Sequence, residues 1–567
     1  MSPPAPSRFL VFVLTLGALC GASMGRAAEA GLWTEFARSP STHPNIPDCS
    51  YAGYGYGERP IPDIAGPVHD VTRHGARGDG VTDDGPAIRA ALEAVDPEVG
   101  GVVYFPNGKY HVGQALFVHT NRTVLRGESR DGVEIVFTRP LDRAYGTFNY
   151  TAPSGVAITR WSYEGGLIWF APRERGVTWR PEGVALDSPM DRKAYRFHWL
   201  TTGELGPVAA ARRGDRTLRV ELAPDAEAPR AGDFVLLELI HPSDHSLAKH
   251  IAGDGEWAER YKWHGGSGAP WGTGWAKPET LRWPVEVVAW DADNSVATLK
   301  QPLRFDVRPE WKPTLHRMGP LLRESGIENL TLRFARAGEW TKAKHHEEEG
   351  WNGPYFNNAV HCWLRDVTLV DMDTGPALAS AKCVTLSGFT LKASRPELAL
   401  HHHGTLTRTN SHDNLFVDFR IESRPYHGLN VESQSTGNVW TRGVLEHGTL
   451  DSHRRSPFEN LRTDLTLVTN DGVHGGNGGP IMGARFVNWN IRVLSGNNYI
   501  VGWADLMPSG AIVGLQGVQP EWSRPEGQKL ATTGHSACRV ECTGEVPEPA
   551  NLYEAQLRLR LQTPPHP

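Results

Sequence analysis

The chain has 567 residues, 39% hydrophobic and 22% charged, with a formal net charge of −6. That length can build a large core, and the lack of a global basic field excludes nucleic acid as an expected partner. With 61 glycines, 42 prolines and 19 tryptophans but few long helix-period runs, the composition predicts an all-β, turn-rich architecture.

Arg8 precedes a mostly apolar run, Phe9 to Cys20, that is too short to span a bilayer. Small residues follow, and Ala28-Glu29-Ala30 offers a cleavage site. Residues 1–30 therefore read as a signal peptide, which predicts a secreted or periplasmic protein with no membrane attachment after cleavage. Cys49, Cys362, Cys383, Cys538 and Cys542 remain, an odd number that leaves at least one unpaired in the expected monomer. Cys362 and Cys383 read either as a disulfide or as two buried small side chains. No CxxC spacing is present, and no metal or redox role is assigned to them.

Residues 31–150 read as an N-terminal cap followed by short strands. Asp83-Asp84-Gly85-Pro86, followed by Ile88, Leu92 and Val95, predicts a capped amphipathic helix with an early proline. Gly100 to Pro106, Ala115 to Val118, Val124 to Gly127 and Val133 to Phe137 follow as strands.

The run Asp70-Val-Thr-Arg-His-Gly-Ala-Arg-Gly-Asp-Gly-Val-Thr-Asp-Asp-Gly-Pro-Ala-Ile88, with Gly100-Gly-Val-Val-Tyr-Phe-Pro-Asn-Gly-Lys-Tyr110, resembles the N-terminal segment of the pectate-lyase superfamily. The branch it resembles holds rhamnogalacturonase-like and epimerase-like β-helix proteins. The resemblance implies a right-handed parallel β-helix acting on carbohydrate and leaves the reaction open, because in that family this segment is a structural cap.

Residues 151–315 break the strand pattern and predict a small inserted β-domain, rich in Trp and Gly. Trp257, Tyr261, Trp263, Trp271 and Trp275 interleave with glycines there. Flat rings of this kind stack on sugar faces, and Trp263 and Trp271 are the candidate platforms; loop packing explains them equally well.

Residues 316–530 carry a loose repeat. Leu332, Leu369, Leu391, Ile421, Leu445, Leu467, Ile491 and Val513 recur at intervals of 37, 22, 30, 24, 22, 24 and 22. A floor near 22 with longer steps predicts a solenoid whose insertions emerge as side loops. The fold expected is thus all-β, a right-handed parallel β-helix with an N-terminal capping helix and an inserted β-domain. Residues 531–567 read as an irregular tail.

Stacked strands lie about 4.8 Å apart, so equal offsets in successive coils become neighbours. His427, His453 and His474 fall six, eight and seven residues after their anchors, and His401-His402-His403 ends the coil before. Between residues 395 and 462 lie seven histidines, together with Arg408, Arg454 and Arg455. This concentration predicts a functional face that binds an acidic polysaccharide.

Elimination from a uronate requires neutralising the C6 carboxylate, removing the C5 proton and protonating the departing O4. Arginine suits the first task and histidine the second. The expected base is His427 or His403, and the expected acid Tyr426 or His453. Arg454, Arg455 and Arg408 are carboxylate holders, His401 and His474 are further contacts, and Glu432 and Asp451 are orienters of an imidazole. A hydrolase would need two carboxylates from among Asp451, Glu432, Glu446, Glu459 and Asp471. A C5 epimerase shares the proton abstraction, and a non-catalytic glycan-binding rod is the reading outside enzymes. A zinc site from His401 and His403 with His427 or His453 is a lesser alternative. The resemblance leaves calcium open as cofactor, with Glu347-Glu348-Glu349 beside His345-His346 as the acidic patch; a solvated loop explains that patch more simply.

Overall fold

Two parallel sheets run the length of the protein and share one apolar interior. The computed structural model describes residues 27–151, 155, 157–181, 183–190, 198–255, 258, 280–471, 482–496, 501–521 and 536–562. Residues 1–26 of the expected signal peptide 1–30, the candidate platforms Trp263 and Trp271, and His474 lie outside them.

The long sheet includes, in register, Gly326–Phe334, Trp363–Val370, Leu415–Ile421, Val439–His447, Leu461–Thr469 and Val487–Val493. Five steps of the predicted column are directly opposed: Leu332 to Leu369, Leu369 to Leu391, Leu391 to Ile421, Ile421 to Leu445, and Leu445 to Leu467. All six side chains are fully buried, each worth about 1.5–3 kcal/mol of burial. Beyond them the register continues with Leu467 opposite Val493, and the counted anchors fall short of it: Ile491 opposes Leu465 and Val513 opposes Trp489.

Strands of the long sheet bend at a left-handed residue, Arg442 at φ 48° in Val439–His447 and Asn or Asp in others. Asn329, Asp366, Asp418, Asp464 and Asn490 sit at φ between 54° and 58°, and the pairing steps over them. Asn and Asp tolerate this region better than other side chains, which is why they recur at the corner. A second polar column is internal: Asn414 Nδ2 donates to Asn438 Oδ1 at 2.8 Å, and Asn438 Nδ2 to Asn460 Oδ1 at 2.9 Å. This column satisfies buried amides from coil to coil.

The short sheet runs Leu116–Val118, Ile168–Phe170, Pro354–Val360, Ala377–Lys382, Leu400–Arg408 and Arg424–Val431. The coil pattern therefore persists at Ile168–Phe170, which pairs with strands on both sides, inside the stretch expected to be inserted. The departure from it is a six-stranded antiparallel sheet from Thr201–Pro207 to Thr314–Met318. Connections between parallel strands are right-handed in nearly all proteins, and this fold is a right-handed β-helix.

A buried ionic network docks the antiparallel sheet on the helix. Arg304 reaches Asp413 at 2.6 Å and Glu459 at 3.0 Å, Lys382 contacts Asp413, and Arg213 and Arg485 reach Glu459 at 3.1 and 2.6 Å. Burial alone would raise both carboxyl groups; the cations hold Asp413 and Glu459 down at about 2.

The capping helix spans Gly85–Glu93 with Pro86 in its first turn, and buries Ile88, Ala91 and Leu92. Asp84 does not cap it: its carboxylate turns back to accept from the Arg77 and Gly78 amides, at 2.7 and 3.1 Å. Two expectations change at the other end. The C-terminal stretch is not irregular throughout, because Leu552–Gln562 is a helix whose Leu552 and Tyr553 pack on Val439, Leu461 and Val487 of the long sheet. All five described cysteines are free thiols, so Cys362 and Cys383 are two buried side chains and no disulfide.

Candidate functional site

The short sheet carries the site. His403 and His427 oppose each other on adjacent strands, their rings stacked at 4.8 Å and 17°. The next coil follows, where the His453 amide donates to the Val431 carbonyl at 3.0 Å and the His453 ring meets His427 at 5.1 Å. Of the predicted column, His427 and His453 meet, His403 joins them from the coil before, and His474 lies outside the described residues.

Strand alternation should have put His401 beside His403. The structure puts His402 there instead. The amides of His402 and His403 both donate to the Asp373 carbonyl, at 2.9 and 3.1 Å, a local bulge that breaks the alternation. His402 lies 5.3 Å from the His427 ring. His401 points inward, its Nε2 against Ser423 Oγ at 2.9 Å, and burial lowers its pKa to about 3. It is a core residue with no substrate contact.

The loop in the 37-residue interval closes over this column. Trp340 stacks on His402 at 5.5 Å and 20°, and lies 5.3 Å from the Tyr426 ring. His345 meets His402 at 4.6 Å. Glu348 is buried, accepts from Trp340 Nε1 at 2.9 Å and from Ser162 Oγ, and lies 3.0 Å from His402 Nδ1. That last contact is off the line of the ring N–H, so it is an electrostatic contact more than a hydrogen bond. Burial would raise the Glu348 pKa, but His402, Ser162 and Trp340 hold it well below the carboxylate range. Glu348 is therefore a buried anion beside the histidines, neither a solvated loop residue nor part of an acidic cation patch. Burial lowers His345 to about 2 and His346 to about 4, so both are neutral near pH 7.

Asp451, expected to orient an imidazole, faces His427. Its Oδ2 lies 2.5 Å from His427 Nδ1 and accepts from Asn430 Nδ2 at 3.0 Å. A proton held on Nδ1 by this carboxylate leaves the lone pair on Nε2. Glu432, expected to orient an imidazole, instead holds arginines: Arg408 Nε at 2.9 Å and Arg454 Nε at 3.5 Å. Arg408 is also tied to Glu164 at 3.2 Å. Burial would lower its pKa, and the two glutamates raise it above the usual value. With both neighbours anionic and its side chain largely buried, Arg408 is a brace for Glu432 and no carboxylate holder. Arg454 stays one-third exposed and donates to His453 Nε2 at 2.8 Å. An imidazole accepting there carries its proton on Nδ1, which removes His453 as an acid through Nε2. Arg455 turns at φ 59° and gives its carbonyl to the Gln434 amide at 3.0 Å.

A groove of about 540 Å³ opens beside the cluster, with Trp340 and Glu348 shared between them. Burial raises the Asp373 pKa in that groove to about 7, with Arg336 opposing. Trp340 was not singled out from sequence; His345 and Glu348 were read only as an acidic patch or solvated loop, and His402 only as the middle of a histidine triplet. The signal that could have joined His345 and Glu348 to the site is the His-His-Glu-Glu-Glu run in the longest interval, where a solenoid puts its side loops.

Residues 68–158 match a family model described as rhamnogalacturonase A/epimerase, pectate lyase-like, and residues 425–566 match a domain of unknown function, DUF4955. Alginate lyase 7 of Azotobacter vinelandii is 50% identical over 44 residues, 8% of this chain and 5% of that protein. Mannuronan C5-epimerase AlgE6 of the same organism is 49% identical over 47 residues, again 8% and 5%. The chain therefore spans only a small part of the curated relatives it matches. The A-module of the A. vinelandii epimerase AlgE4 is similar in structure at 12% identity and a TM-score of 0.33, covering 84% of this chain and 96% of that one. The two stacked parallel sheets define a parallel β-helix protein. Over residues 68–158 the chain is similar to the pectate-lyase-like β-helix proteins, through a model whose description names a rhamnogalacturonase and an epimerase.

Proposed function

We propose that the protein is an exported lyase that cleaves a uronate-containing polysaccharide by β-elimination on the face built around His427. The observation that carries this reading is the buried Asp451–His427 pair at 2.5 Å, which leaves Nε2 as the base. His427 takes the C5 proton, Arg454 neutralises the C6 carboxylate, and Tyr426, edge-on to His427 at 5.0 Å, protonates the departing O4. The C5–H bond's electron pair forms the C4–C5 double bond as the C4–O4 bond breaks. His427 is only 2% exposed, so substrate reaches it past the Trp340 segment, whose movement is part of the reading.

Hydrolysis is disfavoured because each candidate carboxylate is engaged. Glu459 sits in the ionic network, Glu432 braces arginines, Asp451 holds His427, Asp471 pairs with Arg424 at 3.0 Å, and Glu446 pairs with Arg420. The names of the two short sequence matches, an alginate lyase and a C5-epimerase, support a uronate substrate. The N-terminal charged, apolar and small-residue order supports export.

The test is a panel of pectate, alginate, ulvan and glycosaminoglycans, read by ultraviolet absorbance of the unsaturated product and by reducing ends. Both signals should rise together. Reducing ends without absorbance would reject elimination in favour of hydrolysis, and a changed C5 configuration without either would make the protein an epimerase.

A further inference from the structure

Three imidazoles converge from two distant parts of the chain: His345 from the side loop, and His402 and His427 from adjacent strands. One ring nitrogen from each lies within 4.8 Å of the other two. We propose that His345, His402 and His427 form a binding site for a zinc-type divalent transition ion, and that the bound ion withdraws His427 from proton transfer.

Four observations carry the site. The donor set is three imidazoles, which suits zinc, copper and nickel and not calcium or magnesium. Carboxylates stand behind two of the rings, Asp451 2.5 Å from His427 Nδ1 and Glu348 3.0 Å from His402 Nδ1. Asp451 is thus placed as an outer carboxylate that fixes a ligating ring and raises its basicity, while Glu348 adds its charge beside His402. The two buried anions also balance a doubly charged cation. His402 Nε2 is fully buried and has no hydrogen-bond partner, an unmet desolvation that a metal bond would relieve. His345 is half-exposed and provides the route in from solvent.

Tetrahedral zinc with bonds of 2.0–2.1 Å places ligand nitrogens roughly 3.4 Å apart. The rings must therefore close by a little over ~1 Å, a side-chain adjustment that the loop position of His345 permits. Once bonded to the ion, the lone pair of His427 is unavailable to a C5 proton. The inhibitory half of the proposal rests on His427 being the base; the site itself does not.

The full chain, stripped with a chelator, would be titrated with Co²⁺ by visible absorption and with Zn²⁺ by calorimetry. One ion per chain with a tetrahedral Co²⁺ spectrum is expected, weakened more than about tenfold in His345→Ala. Zn²⁺ should raise the Tm of the wild type and leave that of His345→Ala unchanged. In the elimination assay Zn²⁺ should suppress product formation by the wild type. His345→Ala should keep the metal-free rate and resist the same Zn²⁺ concentration. Should His345→Ala unfold by circular dichroism, His345→Asn takes its place. Absence of stoichiometric binding, or equal affinity in the variant, overturns the site. Activation by zinc overturns the inhibitory role. Failure of elimination in every form sinks only the lyase reading, because the Co²⁺ titration needs no substrate.

Discussion

Asp451→Asn tests the central pair of the site. The substitution keeps shape, but Oδ2 faces both His427 Nδ1 and Asn430 Nδ2, so a carboxamide NH₂ turned to His427 gives up the Asn430 bond. What changes is the partner of His427 Nδ1: an amide NH₂ can donate to that nitrogen, which moves the lone pair off Nε2. Positioned general bases contribute about 10²–10⁴-fold, so kcat/KM should fall by that factor, or about 3–5 kcal/mol. A second effect follows from Arg462, fully buried against Trp440 and Phe486, whose NH2 group donates to the Asp451 carbonyl. Burial lowers the Arg462 pKa to about 9, and the Asp451 charge is the one influence raising it. Removing that charge leaves a buried guanidinium without its counter-charge, at a cost in stability approaching the ~3–5 kcal/mol of a broken buried pair. The assay is therefore kcat/KM on the best polysaccharide of the panel, measured well below the Tm found by circular dichroism. A folded Asp451→Asn variant with kcat/KM within about threefold of the wild type would refute the role given to His427.

Arg454→Ala should raise KM and lower kcat together by roughly tenfold or more, with Arg454→Lys recovering part of it, because a lysine supplies the charge but not the fork; steady-state kinetics on de-esterified and methyl-esterified pectin would check this, since the ester carries no charge to hold. Asp413→Ala strands Lys382 and Arg304 inside the junction of the two sheets, and should cost about 3–5 kcal/mol in denaturant titration; a loss under about 1 kcal/mol would mean the network is not desolvated in solution. Acid stability carries a sign. His361, His401 and His412 are held neutral by burial at about 3, so the unfolded chain binds protons that the folded one does not once pH drops below 6.5. Stability is full above that value and falls below it, by about 1.4 kcal/mol per pH unit for each histidine. Asp413 and Glu459, depressed to about 2, add a further loss as pH drops below the unfolded carboxylate values toward 2. Thermal melts from pH 8 to pH 3 should show a flat upper limb and a steepening decline, and a Tm that rises on acidification would contradict both assignments.

Much of the scaffold was legible because a solenoid writes its geometry into local spacing. The anchors from Leu332 to Leu467 stack as counted, since each coil must bury one aliphatic side chain at a fixed offset to continue the column. The same arithmetic brought His427 and His453 together, with His403 joining from the longer coil before them. It failed where the backbone leaves the regular path. The bulge at His402 and His403 swapped His402 for His401; after Leu467 the register continues to Val493, so the counted anchors Ile491 and Val513 miss the column. The helix Leu552–Gln562 was missed because its buried residues gather at one end, so no apolar stripe runs along it.

The sequence by itself determined the β-helix, its cap and the coils that carry the histidines, because these depend on periodicity and on short motifs. Only the tertiary structure decided which charges neutralise which. Glu432 could have faced an imidazole or an arginine, and its strand position permits both; the arginines reach it first. Asp451, one coil on, took the imidazole. The placement of His345 and Glu348 against His402 was likewise beyond spacing arguments, because a side loop has no period and its docking is set by long-range packing of Trp340 on the histidine and tyrosine rings.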